Sequence, residues 1–313
     1  MMTRFIIRRS FTALLSLVVV TMLIFGISRF YGDPMALYVP AEGYGLSVEE
    51  QAKVRARLHL DKPFPVQYAY WLGNLLSGDL GTDLEDRQPL GPKLQKRILP
   101  TLMLAGLAWV IGGGIGIPLG VLSAIKRGSI WDFLGRGFAV LGHSVPQFWV
   151  GMVGILVFSV WLGLLPSGTM GIYGTSWRNF VLPVAVLGWS PMAAYLRLTR
   201  SAMLEILDSE YVTFARAKGV RPIAVIWKHS FRNALIPPLT LSGLQLAVLI
   251  TGSVAVETVF AWPGIGRWAV QAVWTNNFNV LALVTLVFSA GFAVMSFLVD
   301  ILYGVVDPRI RYE

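Results

Sequence analysis

The sequence has no cysteine and few charged residues. Since none of the 313 residues is cysteine, disulfide bonds, cysteine-ligated metals and thiol nucleophiles are excluded. Asp, Glu, Lys and Arg together make up 14% of the chain, against roughly 25% in soluble proteins. A soluble fold of this length would therefore lack the charge to cover its surface.

The sequence also lacks the common motifs of enzymes. It contains no G-x-x-x-x-G-K-[ST] phosphate-binding loop and no H-E-x-x-H zinc motif. The three histidines, His59, His143 and His229, are far apart in the chain, and no catalytic set is recognisable. We therefore expect a protein that is not an enzyme and binds no metal or cofactor of its own.

Long uncharged segments are what the sequence does contain. Each of six runs without Asp, Glu, Lys or Arg is long enough for a helix to cross a hydrocarbon core about 30 Å thick. The sequence therefore predicts an all-α polytopic membrane protein with six transmembrane helices. The uncharged runs are 10–28, 98–125, 137–177, 179–196, 233–256 and 268–299.

Local signals narrow these runs to six spans. The first run follows Arg4, Arg8 and Arg9 and lacks the small-residue cleavage site of a signal peptide, so we interpret it as an uncleaved span. The run 137–177 loses its apolar character at Pro166 and holds one crossing. The predicted spans are 11–27, 100–123, 137–162, 180–196, 236–259 and 280–302.

Basic residues indicate the orientation of the spans. With the N- and C-termini in the cytoplasm, the inner segments hold 15 Lys and Arg residues, and the outer segments hold 3 when the loop 32–99 is set aside. A loop longer than about 60 residues crosses the membrane largely regardless of its charge. The net charge of +9 therefore reflects topology, and we expect contact with the lipid bilayer and not with nucleic acid.

The long outer loop is predicted to be structured. A Ser-x-x-Glu capping-box pattern opens a helical stretch at 47–60, and an aromatic-rich helical stretch at 66–76 ends at Gly78. We therefore divide the chain into two parts. Residues 1–99 form the first transmembrane helix and the outer loop, and residues 100–313 form a core of five helices.

Some residues within the spans point to helix packing or to a pathway across the membrane. Gly112, Gly116 and Gly120 have the four-residue spacing that lets helix backbones approach closely in lipid, so we predict a packing face there. Polar or kinking residues inside spans are candidates for a pathway, with a structural role as the alternative. They are His143, Ser144, Pro146, Glu257 and Asp300.

The most informative segment is the cytoplasmic stretch 205–233, which is too long for a turn. A short helix is predicted through Ala217, and Gly219 suits the left-handed residue that ends such a helix. Pro222 suits the first residue of a second helix, which should run to about Arg232. Two capped helices that project from a membrane domain indicate a docking element, and a solvated basic loop is the alternative.

This segment resembles the EAA loop of the permease subunits of bacterial ATP-binding cassette (ABC) importers. The residues Thr213, Phe214 and Ala215 stand at the Glu-Ala-Ala positions, Gly219 stands at the glycine, and 229–237 is similar to the second half of the signature. Because Thr213 and Phe214 depart from the family residues, the resemblance implies a docking helix without the acidic contact. It assigns ATPase coupling to Glu210, Tyr211, Ala215, Arg216, Ala217, Lys218, Gly219, His229, Asn233 and Pro237.

Four further stretches are similar to the peptide-type branch of this family, and within it to the longer subunit with a large first outer loop. They are 60–72, 78–81, 257–266 and 300–312. The resemblance implies a type I ABC importer permease fold in the bacterial inner membrane. It also implies three kinds of partner: a second homologous permease, two cytoplasmic ATPase subunits that use ATP and Mg²⁺, and an outer substrate-binding protein.

The cargo stays open within this branch. Di- and oligopeptides are the first expectation, and the same branch also carries nickel, glutathione or oligosaccharides. A stand-alone secondary transporter is an alternative from another class. It predicts inverted repeats or a charged midplane, and neither is visible in the sequence.

Overall fold

The computed structural model describes residues 2–30, 47–57, 59–168 and 176–306, apart from the side chains of 2–6, 28, 30, 54, 57 and 300–306. Within these ranges the chain is helical, which confirms the predicted all-α class, and one isolated antiparallel bridge joins Thr82 to Pro89. The outer and early helices are α1 (Met2–Phe30), α2 (Val48–Arg57), α3 (Phe64–Leu76), α4 (Leu90–Ile125), α5 (Ile130–Ser144) and α6 (Gln147–Gly154), which continues as the π-helix π1 (Ile155–Trp161). The later helices are α7 (Arg178–Leu207), α8 (Glu210–Ala217), α9 (Pro222–Ala224), the π-helix π2 (Val225–Phe231), α10 (Arg232–Ala234), α11 (Ile236–Gly252), α12 (Val254–Val259), α13 (Ile265–Trp274) and α14 (Phe278–Val306).

The apolar helices of the described chain follow the order of the predicted spans, and their number is five or six. Five are long and apolar enough to cross a membrane, and a bent pair makes a sixth if it crosses as one span. The predicted fifth span, 236–259, coincides with the observed Ile236–Val259. The other candidates are Ile7–Ile27, Leu90–Ile125, Arg178–Leu207 and Phe278–Val299, and the bent pair is Ile130–Ser144 with Gln147–Trp161.

The third predicted span, 137–162, differs from the structure, because it is divided into two helices that meet at 107°. The break lies at Val145, whose backbone is extended (φ −93°, ψ 125°). The ring of Pro146 crowds the preceding residue out of the α region, and Pro146 has no N–H with which to continue the helix. The predicted kink is therefore a complete break, and α6 starts afresh at Gln147.

The helix α7 is longer than the predicted fourth span. The prediction ended at residue 196 because Arg197 and Arg200 follow, but the helix continues to Leu207. Charged residues end the apolar part of a helix without ending the helix itself, since Arg is a good helix former. As a result, one unbroken helix leads from the apolar part of α7 to the segment that begins at Asp208.

The first compact unit of the chain comprises the described residues of the range 1–99 together with Gly264–Ala293. In its described part, the first turns of α4 pack against α13 and α14. This packing buries one hydrophobic cluster, which consists of Leu90, Leu94, Ile265, Trp268, Ala272, Val280, Leu283 and Val284.

The described part of the long loop, 47–57 and 59–99, contains helices, as the sequence predicts. The capping box is present, because the Glu50 carboxylate accepts hydrogen bonds from the Ser47 N–H at 2.9 Å and from the Ser47 hydroxyl at 2.8 Å. Ser47 Oγ in turn accepts the Glu50 N–H at 3.3 Å. These bonds hold the pKa of Glu50 below its ordinary value. The helix ends at Arg57, earlier than the predicted residue 60, and the backbone of His59 is left-handed (φ 56°).

The second compact unit comprises the described residues of the ranges 100–263 and 294–306. The glycine face of α4 packs against α7 here, which confirms the predicted packing role. A Cβ atom at Gly116 would lie 2.5 Å from the carbonyl oxygen of Met192, and one at Gly120 would lie 2.7 Å from that of Leu196. Only glycine therefore allows the two backbones to approach this closely.

Candidate coupling site

The helix α8 is short and amphipathic. It starts after Ser209, whose carbonyl oxygen accepts the Val212 N–H at 3.2 Å. Val212 is completely buried and Ala215 is 7% exposed, whereas Tyr211 and Phe214 are 51% and 61% exposed. One face of α8 is thus anchored on the protein, while the other presents two aromatic rings to the outside.

Gly219 ends this helix in the predicted left-handed conformation (φ 76°). Its N–H donates to the Arg216 carbonyl oxygen at 2.9 Å, and the N–H of Val220 donates to that of Ala215 at 3.3 Å. A Cβ atom at Gly219 would meet no atom within 4 Å. The requirement for glycine therefore comes from the backbone conformation and not from a lack of space.

A second helical stretch begins at Pro222 and runs through α9, π2 and α10 to Ala234, two residues beyond the predicted end. A hydrogen bond of 2.6 Å between the Tyr211 hydroxyl and Nδ1 of His229 joins this stretch to α8. The Asn233 amide donates to the carbonyl oxygen of His229 at 3.0 Å. The structure therefore brings Tyr211, His229 and Asn233 together, and the two helices form one element.

The charges of this element lie on its surface. Arg216 and Lys218 are exposed, and the Lys218 ammonium lies 4.5 Å from the centre of the Phe214 ring. Glu210 occupies the first turn of α8, where the helix dipole favours a negative charge.

Pro237, the last of the residues that the resemblance assigned to coupling, lies in the first turn of α11 and is separate from α8 in sequence. An open depression of 630 Å³ follows α8 and is lined by Asp208, Glu210, Tyr211, Thr213, Phe214 and Ala217.

Sequence reasoning missed a buried ionic joint that ties α4, α5 and α7 together. Asp132 is 2% exposed and accepts two hydrogen bonds from Arg200, Nε to Oδ1 at 2.6 Å and a terminal nitrogen to Oδ2 at 3.1 Å. Ser123 Oγ donates to Oδ1 at 2.7 Å, and the Gly128 N–H donates to Oδ2 at 3.0 Å. The available signal was an Asp flanked by Trp131 and a phenylalanine near the start of an apolar segment.

Glu257 forms a second buried joint, between α4 and α12. Its side chain is completely buried, and Oε1 accepts hydrogen bonds from Thr101 Oγ1 at 2.8 Å and Ser253 Oγ at 2.9 Å. Nearby, the indole N–H of Trp262 donates to the Pro100 carbonyl oxygen at 3.0 Å. The sequence left open whether Glu257, near a span end, lines a pathway, pairs or reaches water, and the structure encloses it in protein with two hydroxyl partners.

The other residues proposed for the pathway are more exposed or lie outside the described part. His143, Ser144 and Pro146 are exposed on this chain at the break between α5 and α6. No hydrogen bond from the described residues reaches the His143 ring. Asp300 lies in α14, and its side chain is outside the described residues.

Apolar helices that are long enough to cross a membrane indicate an integral membrane protein, and a pair of joined helices in it presents aromatic residues on its surface. Family models identify the protein further. The chain belongs to the binding-protein-dependent transport system inner membrane components, whose model matches residues 116–312. The model for the N-terminal part of such membrane components matches residues 2–89.

Similar proteins cover the whole chain. The dipeptide transport system permease protein DppB of Escherichia coli (strain K12) is 36% identical over 340 residues, with 100% of each chain covered. The glutathione transport system permease protein GsiC of Pectobacterium atrosepticum is 38% identical over 315 residues, again with complete coverage. The chain is therefore the permease subunit of an ABC importer.

Solved structures show the same fold. The methionine ABC transporter MetNI in an inward-facing conformation matches with a TM-score of 0.56 at 22% identity, over 68% of this chain and 96% of that chain. An amino acid ABC transporter solved with histidines matches with a TM-score of 0.54 at 16% identity, over 67% of this chain and 92% of that chain. These similarities confirm the predicted fold of an ABC importer permease.

Proposed function

We propose that this chain forms half of the translocation pathway of an ATP-driven importer for di- and oligopeptides, and that the segment 205–233 couples it to ATPase subunits. Relatives named for dipeptide and glutathione transport support a peptide cargo. Glutathione is itself a peptide, so transport of glutathione is the second candidate. One observation carries the coupling role: α8 exposes Tyr211 and Phe214 while its other face is fixed by Val212 and its end by Gly219.

The proposed role as a permease subunit also implies the other subunits of the importer. A second, homologous permease completes the pathway as a heterodimer, two cytoplasmic ATPase subunits use ATP and Mg²⁺, and an outer substrate-binding protein delivers the cargo. The assembly lies in the bacterial inner membrane. The chain itself performs no covalent chemistry and binds no cofactor.

The helix connections give this coupling a physical route. The docked helix α8 follows α7 after two residues, so a displacement of α8 acts directly on the end of α7. The Arg200–Asp132 joint then links α7 to the turn between α4 and α5. When the ATPase pair closes on ATP, the contacts at α8 favour one of two arrangements of the spans, and the population shifts from inward-open to outward-open.

Substitution of Gly219 by Val tests the coupling role. A β-branched residue is strongly disfavoured in the left-handed conformation, so the cap of α8 should be lost and the aromatic face displaced. We expect uptake of a labelled dipeptide by cells with the whole importer to fall about tenfold or more. Stimulation of ATP hydrolysis by the loaded binding protein should fall with it, while immunoblots of membranes show unchanged amounts of the chain.

The matched control is Gly219→Asn, because Asn tolerates the left-handed conformation. This variant should retain most of the uptake. Normal uptake by Gly219→Val would contradict the coupling role. Competition of unlabelled dipeptides, glutathione and nickel against the labelled dipeptide identifies the cargo, and the absence of any dipeptide uptake by the intact importer would contradict the peptide assignment.

A further inference from the structure

The first compact unit contains a polar cavity of 340 Å³. It lies between the end of the long loop, the first turns of α4, the helix α13 and the first turn of α14, a region that the predicted topology places on the outer side. Its size falls in the range of about 300–1,000 Å³ that is typical of small-molecule sites. Four charged side chains line it, two acidic and two basic: Asp83, Glu85, Lys93 and Arg97.

Two of these charges neutralise each other. Asp83 is 4% exposed and pairs with the Lys93 ammonium, and its Oδ1 also accepts a hydrogen bond from the Asn277 amide. Lys93 shares its ammonium with Asp86, outside the cavity lining. The pair Asp83–Lys93 is therefore part of the wall and is not available to a ligand.

The other two charged side chains, Glu85 and Arg97, form no ion pair with each other in the described part of the chain. The Arg97 guanidinium donates to the Lys93 carbonyl oxygen at 3.1 Å and stacks on the Trp268 ring, 4.7 Å from its centre. The backbone N–H of Glu85 donates to Asp83 Oδ1 at 3.0 Å, which fixes the turn that carries the Glu85 carboxylate. Within the described part of the chain, neither Glu85 nor Arg97 forms an ion pair, with the other or with any third residue.

We propose that this cavity binds a small zwitterion, with Arg97 on the carboxylate and Glu85 on the ammonium group. Opposite charges that line one cavity without pairing leave hydrogen-bonding capacity on both sides, and a ligand that carries both charges satisfies it. Gln271 and Thr275, also in the lining and exposed, supply neutral polar groups between them. A peptide with free termini and a free amino acid share this chemistry, and the choice of the peptide rests on the proposed function.

Binding to the full-length chain in lipid nanodiscs, without any binding protein, tests the inference. The probes are L-alanyl-L-alanine, its N-acetyl derivative, its C-terminal amide and free alanine, measured by isothermal titration calorimetry. We expect saturable binding of the dipeptide, and about tenfold or greater weakening when either terminal charge is blocked. Equal binding of alanine would support a site for zwitterions in general, and preference for the dipeptide would identify peptides as the source.

Two variants test which side chain binds the carboxylate of the dipeptide and which binds its ammonium group. In Arg97→Gln the dipeptide and its amide should bind equally, and in Glu85→Gln the dipeptide and its N-acetyl derivative should bind equally. Lys96→Gln is the matched control, because Lys96 is exposed beside Arg97 but does not line the cavity, and it should leave the affinity unchanged. The inference would be overturned if the natural chain showed no saturable binding of the dipeptide. It would also be overturned if both variants still preferred the dipeptide over its blocked derivatives as the natural chain does. Peptide uptake by the whole importer is measured in parallel, so that failure of the cavity site can be distinguished from failure of the proposed function. Peptide uptake without dipeptide binding to the cavity would refute the cavity site and leave the transport function standing.

Discussion

Two buried aspartates, one in each compact unit, are used in different ways. Asp132 is 2% exposed and Asp83 is 4% exposed, and each accepts hydrogen bonds from a cationic side chain, an uncharged side chain and a backbone N–H. They differ in the cation. Asp132 receives two bonds from the planar guanidinium of Arg200, whereas Asp83 receives one from the Lys93 ammonium, which also serves Asp86.

This difference shows that the cationic partner determines the structural role of a buried carboxylate. A guanidinium fork fixes both distance and orientation, so Asp132 and Arg200 form a stiff joint between helices. An ammonium is a point charge that serves several acceptors at once, so Lys93 connects Asp83 to the surface. The first arrangement suits the transmission of a displacement, and the second suits the wall of a cavity open to solvent.

The largest effect is expected for Asp132→Asn. The amide cannot balance the charge of Arg200, whose side chain is 21% exposed, and loss of one partner of a buried ion pair costs about 3–5 kcal/mol. The unfolding midpoint of the purified chain in detergent, followed by tryptophan fluorescence, should fall clearly. Arg136→Gln is the control, because Arg136 is 56% exposed and lies 3.8 Å from Asp132, and it should cost less than about 1 kcal/mol. Equal midpoints for the two variants would refute the stiff joint.

A smaller effect is expected for Asp83→Asn. Lys93 keeps Asp86 as a partner after this change, so its charge stays compensated, and the loss of the bonds to Asp83 should cost about 1–3 kcal/mol. The same fluorescence measurement checks it. A destabilisation larger than that of Asp132→Asn would remove the distinction between the two aspartates.

The smallest effect is expected for Asp86→Asn and depends on pH. The hydrogen bond from Lys93 holds the pKa of Asp86 below its ordinary value of 3.8. A carboxyl whose pKa is lower in the folded than in the unfolded state stabilises the fold above the unfolded pKa, and this contribution is lost as the pH falls through the folded pKa. The natural chain should therefore exceed the variant in stability at about pH 7, and the difference should vanish below the folded pKa. A difference that grows on acidification would show that Lys93 does not stabilise the Asp86 carboxylate.

Local patterns predicted the features that depend on near neighbours in the chain. The capping box at Ser47, the left-handed cap at Gly219 and the helix start at Pro222 are all formed, because each depends on residues within one helical turn. The break at Pro146 was anticipated in position but not in size. Its angle of 107° depends on what the two halves pack against, and local sequence does not contain that information.

The sequence by itself determined the membrane class, the order of the apolar helices and the cap of α8, because apolar run length and turn chemistry are local properties. The tertiary structure alone decided which distant residues meet. Arg200 is 68 positions from Asp132, Thr101 is 156 from Glu257, and Asn277 is 194 from Asp83. A buried charge is tolerated only where folding brings hydrogen-bond partners to it, so the joints and the cavity become visible only when the helices are packed.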